Sequence, residues 1–534
     1  MNTNAPMTAP EVVDCHKPID TKETVRHEEN FYGSSDRSPK ATDEHVSPGS
    51  FAFALPQLTC CRQGLPHLPL DPKAEAKLRL KIDLCVVPTV SLLYLFCFID
   101  RANIGNARLA GLEKDLGLAG YDYNVVLSCF YISYILFELP STFACKFCGP
   151  GWFIPAASVG FGICSLGTAF VQNKSAACAV RFLLGVFESG LLPGIAYYLS
   201  RWYRRSELAF RLSLYIVMAP LAGAFGGLLA SAILKLDHFG SLHGWRMIFA
   251  VEGIITSSLG IVSFFTLTDR PATARWLTQE EKELAVARIR SERIATSEVL
   301  DKFDIAKARR GMLCPVTLMT GFIFLLNNIT VQGLGFFAPT IIKTIYPENS
   351  VVSQQLHTVP PYVVGAFFIL IGPLLSWHYD RRNVFLIISA PSIIAGYAIF
   401  LATTNAHVRY GATFLITAGA FVYGPLCPAQ VSANVISDSA RSAAIGTNIL
   451  LGNFGGLIST WSYLPFDAPN YPIGNGLNLA SAGVIQIVAI LLELWMRADN
   501  KSREKRKTET HLEGLSLKQV QSLEWRHPSF RWRL

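Results

Sequence analysis

Two pairs of charges in this chain stand where charge is costly. Asp100 and Arg101 are adjacent near the end of an apolar run that begins at Leu84. Arg181 and Glu188 flank the unbroken apolar stretch Phe182-Leu183-Leu184-Gly185-Val186-Phe187. Within a membrane helix each such group costs about 2.5–3.5 kcal/mol at mid-span, so it must face a cavity or a partner. Seven steps of about 100° carry a helix back to within about 20° of its start, which puts Arg181 and Glu188 two turns apart on one face. That face offers a cation and a carboxylate to one cavity, or builds an interhelical ion pair. Asp100 and Arg101 point about 100° apart and cannot serve the same neighbour. Arg101 is long enough to reach an anion, while Asp100 pairs elsewhere or carries a proton. Glu138 and Glu252 are further carboxylates inside apolar segments, near helix ends where backbone or arginine can satisfy them. The chemistry on offer is reversible anion capture beside acids able to gain and lose a proton.

The second half carries amides instead. Asn327, Asn328 and Gln332 punctuate one apolar segment, Gln430 and Asn434 end another, and Asn448 and Asn453 lie on a third. This asymmetry suits a substrate whose anionic end is held by the first half and whose other end is read by the second.

Membrane helices must position these groups. Of 534 residues 51% are hydrophobic and only 16% charged, against about 25% for a soluble protein, and the mean hydropathy is +0.32. Spanning a bilayer takes about 20 mainly apolar residues. Twelve such segments are expected, near 82–104, 124–145, 152–171, 176–199, 210–234, 246–267, 313–338, 357–378, 384–403, 410–430, 442–464 and 477–497. A charged connector, 268–311, separates six from six. It contains Thr278-Gln279-Glu280-Glu281, a capping-box pattern that predicts a solvated helix. Gly223-x-x-x-Gly227 predicts a close backbone approach. Lys and Arg crowd the connector and the loops holding Arg201, Arg204, Arg205, Arg381, Arg382 and Arg441, so the connector and both termini are expected in the cytoplasm. This asymmetry and a basic tail over 498–534 account for the net charge of +8 without a nucleic-acid partner.

Residues 1–80 are polar and aperiodic, with no apolar stretch near Met1, so they predict a disordered tail and no cleavable signal peptide. The 12 cysteines show no disulfide framework or metal spacing. With no nucleotide loop or nucleophile elbow in view, neither an enzyme nor a cofactor is expected.

The run Phe98-Ile99-Asp100-Arg101-Ala102-Asn103-Ile104-Gly105-Asn106-Ala107 resembles the fungal anion:cation symporters, a family that includes allantoate and nicotinate permeases. The stretches Ser133–Ser141, Arg181–Gly194 (RFLLGVFESGLLPG), Trp245–Gly253 (WRMIFAVEG) and Asp467-Ala468-Pro469 agree with it. The resemblance covers residues 80–500 and implies the major facilitator fold: an all-α membrane protein of twelve transmembrane helices in two six-helix bundles, 81–267 and 312–497. It implies substrate binding by Arg101, Arg181 and Asn453, and proton coupling by Glu188 and Asp100. Asn327, Gln430 and Asn434 complete the expected substrate set, Glu138 the expected proton carriers, and the turn at Asp380-Arg381 a gate. One departure stands out. The turn Cys148-Gly149-Pro150-Gly151-Trp152 lacks the basic signature usual after the second helix, which implies a weak latch there.

An anion entering a negative-inside cell moves against about 2.3 kcal/mol per 100 mV. One accompanying proton cancels that term and leaves about 1.4 kcal/mol per pH unit as driving force. Desolvated Glu188 is the best-placed carrier. The expected function is proton-coupled uptake of a small organic anion, such as a vitamin or carboxylate, by a multi-pass protein of the plasma membrane, most simply a monomer. A proton-coupled exporter of drugs or secondary metabolites and a non-transporting nutrient receptor are the alternatives.

Overall fold

The computed structural model describes residues 72–203, 205–236, 240–291, 305–505, 523–528 and 530–534. Helices dominate these residues, and none of them forms a strand. Six spans precede the connector: α1 (Pro72–Leu109), α3 (Asp122–Cys148), α4 (Pro150–Thr168), the broken pair α5 (Lys174–Glu188) and α6 (Leu191–Ser200), the broken pair α7 (Arg205–Ile216) and α8 (Met218–Ile233), and α9 (Trp245–Thr266). A single turn, α2 (Leu112–Asp115), follows α1. The connector forms α10 (Gln279–Ser291) and α11 (Ile305–Met312). Six more spans follow: α12 (Pro315–Ile345), α13 (Val351–Tyr379), α14 (Arg382–Ala402), α15 (Ala406–Ala420) with α16 (Tyr423–Ala433), α17 (Asp438–Ser459) and α18 (Pro472–Lys505).

Local chemistry sets the boundaries. Asn173, Ser350 and Ser437 accept hydrogen bonds from the first turns of α5, α13 and α17, and proline begins α4 and α12, where a missing N–H does no harm. Prolines also lie inside α1, α3, α12 and α13, which membrane helices tolerate better than soluble ones. Among the described residues eleven helices are long and apolar enough to cross a membrane. The twelfth span, α17, is diluted by Asn448, Asn453 and four glycines and falls outside that group. Two of those glycines, Gly452 and Gly455, bring its backbone against Phe324 and Leu325 of α12. Large apolar side chains such as Leu136, Phe265, Leu374 and Leu494 lie exposed on the outward faces. Water would not tolerate so extensive an apolar surface, whereas a lipid bilayer requires it.

Two features depart from the expected boundaries. The tail expected over 1–80 lies outside the described residues as far as 71, but α1 is already helical from Pro72. Its first turns bury Leu78 and engage the connector: Arg288 of α10 reaches Glu75 and Glu207, and Lys81 meets Glu281 at 2.7 Å. The capping box forms reciprocally, with the Thr278 peptide N–H on Glu281 Oε2 (2.9 Å) and the Glu281 peptide N–H on Thr278 Oγ1 (3.3 Å). Residues 523–534 dock on the second half. Trp532 is buried with Cys314, Val316, Leu492 and Met496, and Trp525 Nε1 donates to the Arg310 carbonyl at 3.1 Å.

Candidate functional site

α1 carries both Asp100 and Arg101, and its two neighbours separate them. Arg101 Nε donates to Glu188 Oε2 of α5 at 2.7 Å, and both side chains are buried. Asp100 turns instead to α4, where Ser165 Oγ donates to its Oδ1. Adjacent residues on a helix diverge by about 100°, and this divergence is realised as two different partners. The Arg101 guanidinium is caged by aromatic faces, at 4.8 Å from Phe98, 4.9 Å from Tyr134 and 5.1 Å from Phe130. Cys97, one turn before Arg101, donates to Glu188 Oε2 at 3.3 Å. Glu188 Oε1 has no hydrogen-bond partner.

A cavity of about 470 Å³ opens beside this pair. The first half lines it with Tyr94, Cys97, Phe98, Arg101, Tyr134, Glu188, Leu191 and Leu192. The second half supplies Phe324, Asn328 and Gln332 from α12 and Ile449 and Asn453 from α17. Asn453 Nδ2 donates to Glu138 Oε2 of α3 at 2.9 Å, a hydrogen bond that crosses from one half to the other. One wall thus presents an ion pair and aromatic faces, and the other presents amides.

The halves are closed together at the end opposite the connector. Asn124 Nδ2 of α3 donates to the Thr460 carbonyl at 2.6 Å, Ser128 and Thr460 hydroxyls meet at 2.9 Å, and Trp461 Nε1 donates to Ser128 Oγ at 2.9 Å. Tyr123 meets Phe337 edge-on at 6.0 Å. Gly223 and Gly227 of α8 lie against α13. A Cβ at Gly223 would sit 2.6 Å from the Tyr362 ring, and one at Gly227 would sit 2.8 Å from Thr358 Oγ1. This glycine pair is therefore a packing device between the halves.

The other expected residues lie elsewhere. Arg181 sits two turns nearer the closed end than Glu188. It is buried against Phe249 at 5.4 Å and does not line the cavity. Asn327 Nδ2 donates to the Ala420 carbonyl at 3.0 Å, fastening α12 to α15. Gln430 and Asn434 hold the docked C-terminal segment: their side-chain amides donate to the Arg533 carbonyl at 3.1 and 3.0 Å, and the Arg533 N–H returns a bond to Asn434 Oδ1 at 2.9 Å. Asp380 caps α13 with φ 48° and pairs with Arg382 at 3.3 Å, while the Arg381 N–H bonds the Ser376 carbonyl at 3.1 Å.

Reasoning from charge alone missed the aromatic cage and Cys97. The spacing of Phe98 and Cys97, three and four residues before Arg101, is the signal that could have found them. It also missed Asp269. The turn at Gly149 lies against the Asp269 carboxylate, where a Cβ would sit 2.7 Å from Oδ1, and Arg201 pairs with Asp269 at 3.1 Å. That acid thus joins the turn after α3 to Arg201 at the end of α6.

Fold and cavity together define a helical membrane transporter with a binding chamber between two bundles. The chain belongs to the Major Facilitator Superfamily, whose family pattern matches residues 90–460. It is 32% identical to an uncharacterized transporter of Schizosaccharomyces pombe, over 87% of this chain and 91% of that protein. It is 31% identical to the MFS-type transporter efuF of Hormonema carpetanum, over 82% and 88% of the two chains. With the major facilitator-type transporter hxnP of Emericella nidulans it shares 30% identity, over 83% and 90%. Among solved structures, a D-xylose–proton symporter aligns with TM-score 0.58 at 15% identity, over 75% of this chain and 97% of that one. An inward-facing, unoccupied bacterial homologue of the human lysosomal transporter Spinster aligns equally well, at 15% identity over 76% and 94%. These two likenesses concern the fold.

Proposed function

We propose that the chain is a proton-coupled symporter of a small organic anion, of the fungal anion:cation symporter type, working by alternating access with both termini in the cytoplasm of a plasma-membrane protein. The observation that carries this reading is the buried Arg101–Glu188 pair at the cavity wall. A guanidinium held by a carboxylate is unavailable to a substrate anion. When Glu188 takes up a proton, Arg101 is released, and its planar fork matches a carboxylate bidentately. Phe98 and Tyr134 hold the guanidinium in place, while Asn453, Asn328 and Gln332 read the neutral end of the substrate from across the cavity.

Breaking the Glu138–Asn453 bond and the closed-end contacts lets the halves rock. At the connector side Glu188 gives its proton to water, recaptures Arg101 and displaces the anion. One proton per monocarboxylate makes the cycle electrically neutral, so the pH difference drives accumulation. Asp100 and Arg181 support this switch from behind the cavity wall. The turn at Asp380-Arg381 serves as a gate on the second half, and Gln430 and Asn434 act on it through the docked segment.

The test is uptake of labelled organic acids by proteoliposomes under an imposed pH gradient. Glu188→Gln is expected to abolish gradient-driven accumulation while keeping substrate exchange. Full accumulation by that variant removes the proposed role. Acid-driven efflux in place of uptake would make the chain an exporter.

A further inference from the structure

Inside the first half, on the α4 and α9 side of α1, lies a second polar cluster that does not line the cavity. Asp100 and Asn103 share one face of α1. Asp100 accepts from Ser165, and Asn103 donates its amide to Glu252 Oε2 of α9 while accepting from Asn106 at 3.0 Å. Asp100, Arg181 and Glu252 are 1%, 4% and 0% exposed. Asp100 Oδ2, Glu252 Oε1 and Arg181 Nε each lack a hydrogen-bond partner. The Arg181 guanidinium lies over Phe249, three residues before Glu252 on the same face of α9, and so is held on the side of α9 that carries Glu252.

The charges of this interior do not cancel. Arg101 is matched by Glu188. That leaves Arg181 as the one buried cation of this cluster and Asp100 and Glu252 as its two buried carboxyls. If both were ionised, a net negative charge would sit buried without a counter-ion. If both were neutral, Arg181 would be stranded, since a guanidinium does not give up its proton. One proton on two acids is the balanced state. Each acid is hydrogen-bonded only to a neutral side chain, Asp100 to Ser165 and Glu252 to Asn103, so neither is singled out as the ionised member.

We propose that Asp100 and Glu252 share one proton and one negative charge against Arg181, and that this pair is a second proton-carrying site. Its surroundings are closed. Asp100 and Glu252 interact electrostatically with each other and with Arg181 and Glu188, and Asp100 also with Arg101. Tyr123 of α3 faces Arg181, and Cys97 and Cys164 face Asp100. α8, packed on α1, brings no ionisable side chain, and α12 brings only Lys343 at its end. A proton arriving on Glu188 changes the charge next to this pair, so the two sites titrate together. Only O–H bonds form and break: a hydronium ion gives its proton to a carboxylate and is left as water, and on release a water takes the proton up as hydronium. The role of the pair in transport rests on the symport reading, but its protonation does not.

Infrared difference spectroscopy on the purified full chain in phosphatidylcholine nanodiscs, at neutral pH and without substrate, reads the site directly. The wild type is expected to show a protonated-carboxyl C=O band that Glu252→Gln removes, with the thermal midpoint kept because glutamine mimics the neutral acid. Asp100→Asn is expected to remove the same band, because Glu252 then becomes the only counter-ion of Arg181 and ionises. A spectrum unchanged by Glu252→Gln, a Glu252→Gln variant that fails to fold, or a band that survives Asp100→Asn overturns the proposal. Absence of pH-driven uptake would sink the symport reading and leave these spectra as they are.

Discussion

The two halves of this transporter share an architecture and differ in what they bury. At mid-span the first half encloses Asp100, Arg101, Arg181, Glu188 and Glu252, while the second encloses Asn327, Asn328, Asn448 and Asn478. An amide can be satisfied in place, as Asn478 is by the Gly474 carbonyl and the Thr330 hydroxyl. A buried charge needs a partner, and the partnership changes when a proton arrives. On the proposed cycle, the first half switches while the second recognises the substrate and stays constant.

The sharpest way to break this comparison is to orphan a charge. Glu188→Ala leaves Arg101 buried without a carboxylate and should cost about 3–5 kcal/mol of stability, against little for Asn448→Ala. Thermal unfolding in detergent compares the two, and equal losses would remove the distinction between the halves. Next in size is the docked segment. Trp532→Ala empties a site among Cys314, Val316, Leu492 and Met496. A buried tryptophan is worth about 3–5 kcal/mol, an upper bound here because the segment can undock without unfolding the spans. Hydrogen exchange should then rise in 523–534 while the first half stays protected.

A smaller effect tests the seam between the halves. Asn453→Ala deletes the bond to Glu138 and should weaken their closure by about 0.5–1.5 kcal/mol, read as faster labelling of a single cysteine placed in the cavity. Unchanged labelling would show that the closed-end contacts alone hold the halves. The smallest effect lies outside the membrane. The Lys81 ammonium, with help from the Thr278 N–H, holds the Glu281 carboxyl below its ordinary value of 4.5. Its stabilising contribution is therefore present above pH 4.5 and lost as pH falls through the lowered value. An exposed pair contributes little, so the difference between wild type and Glu281→Gln should be slight at neutral pH and vanish in acid.

What the chain determined by itself follows from local chemistry. Apolar runs interrupted by charge were enough to locate the spans, the six-and-six division, the Thr278–Glu281 cap and the buried arginines, because hydropathy and capping act between near neighbours in sequence. Partnership belonged to the tertiary structure. Seven-residue spacing set Arg181 and Glu188 on one face, yet packing gave Glu188 to Arg101 and left Arg181 against Phe249, since only the approach of α1 to α5, α4 and α9 decides which charges meet. Gln430 and Asn434 likewise drew their partners from Arg533, about a hundred residues along the chain, at a distance no periodicity can read.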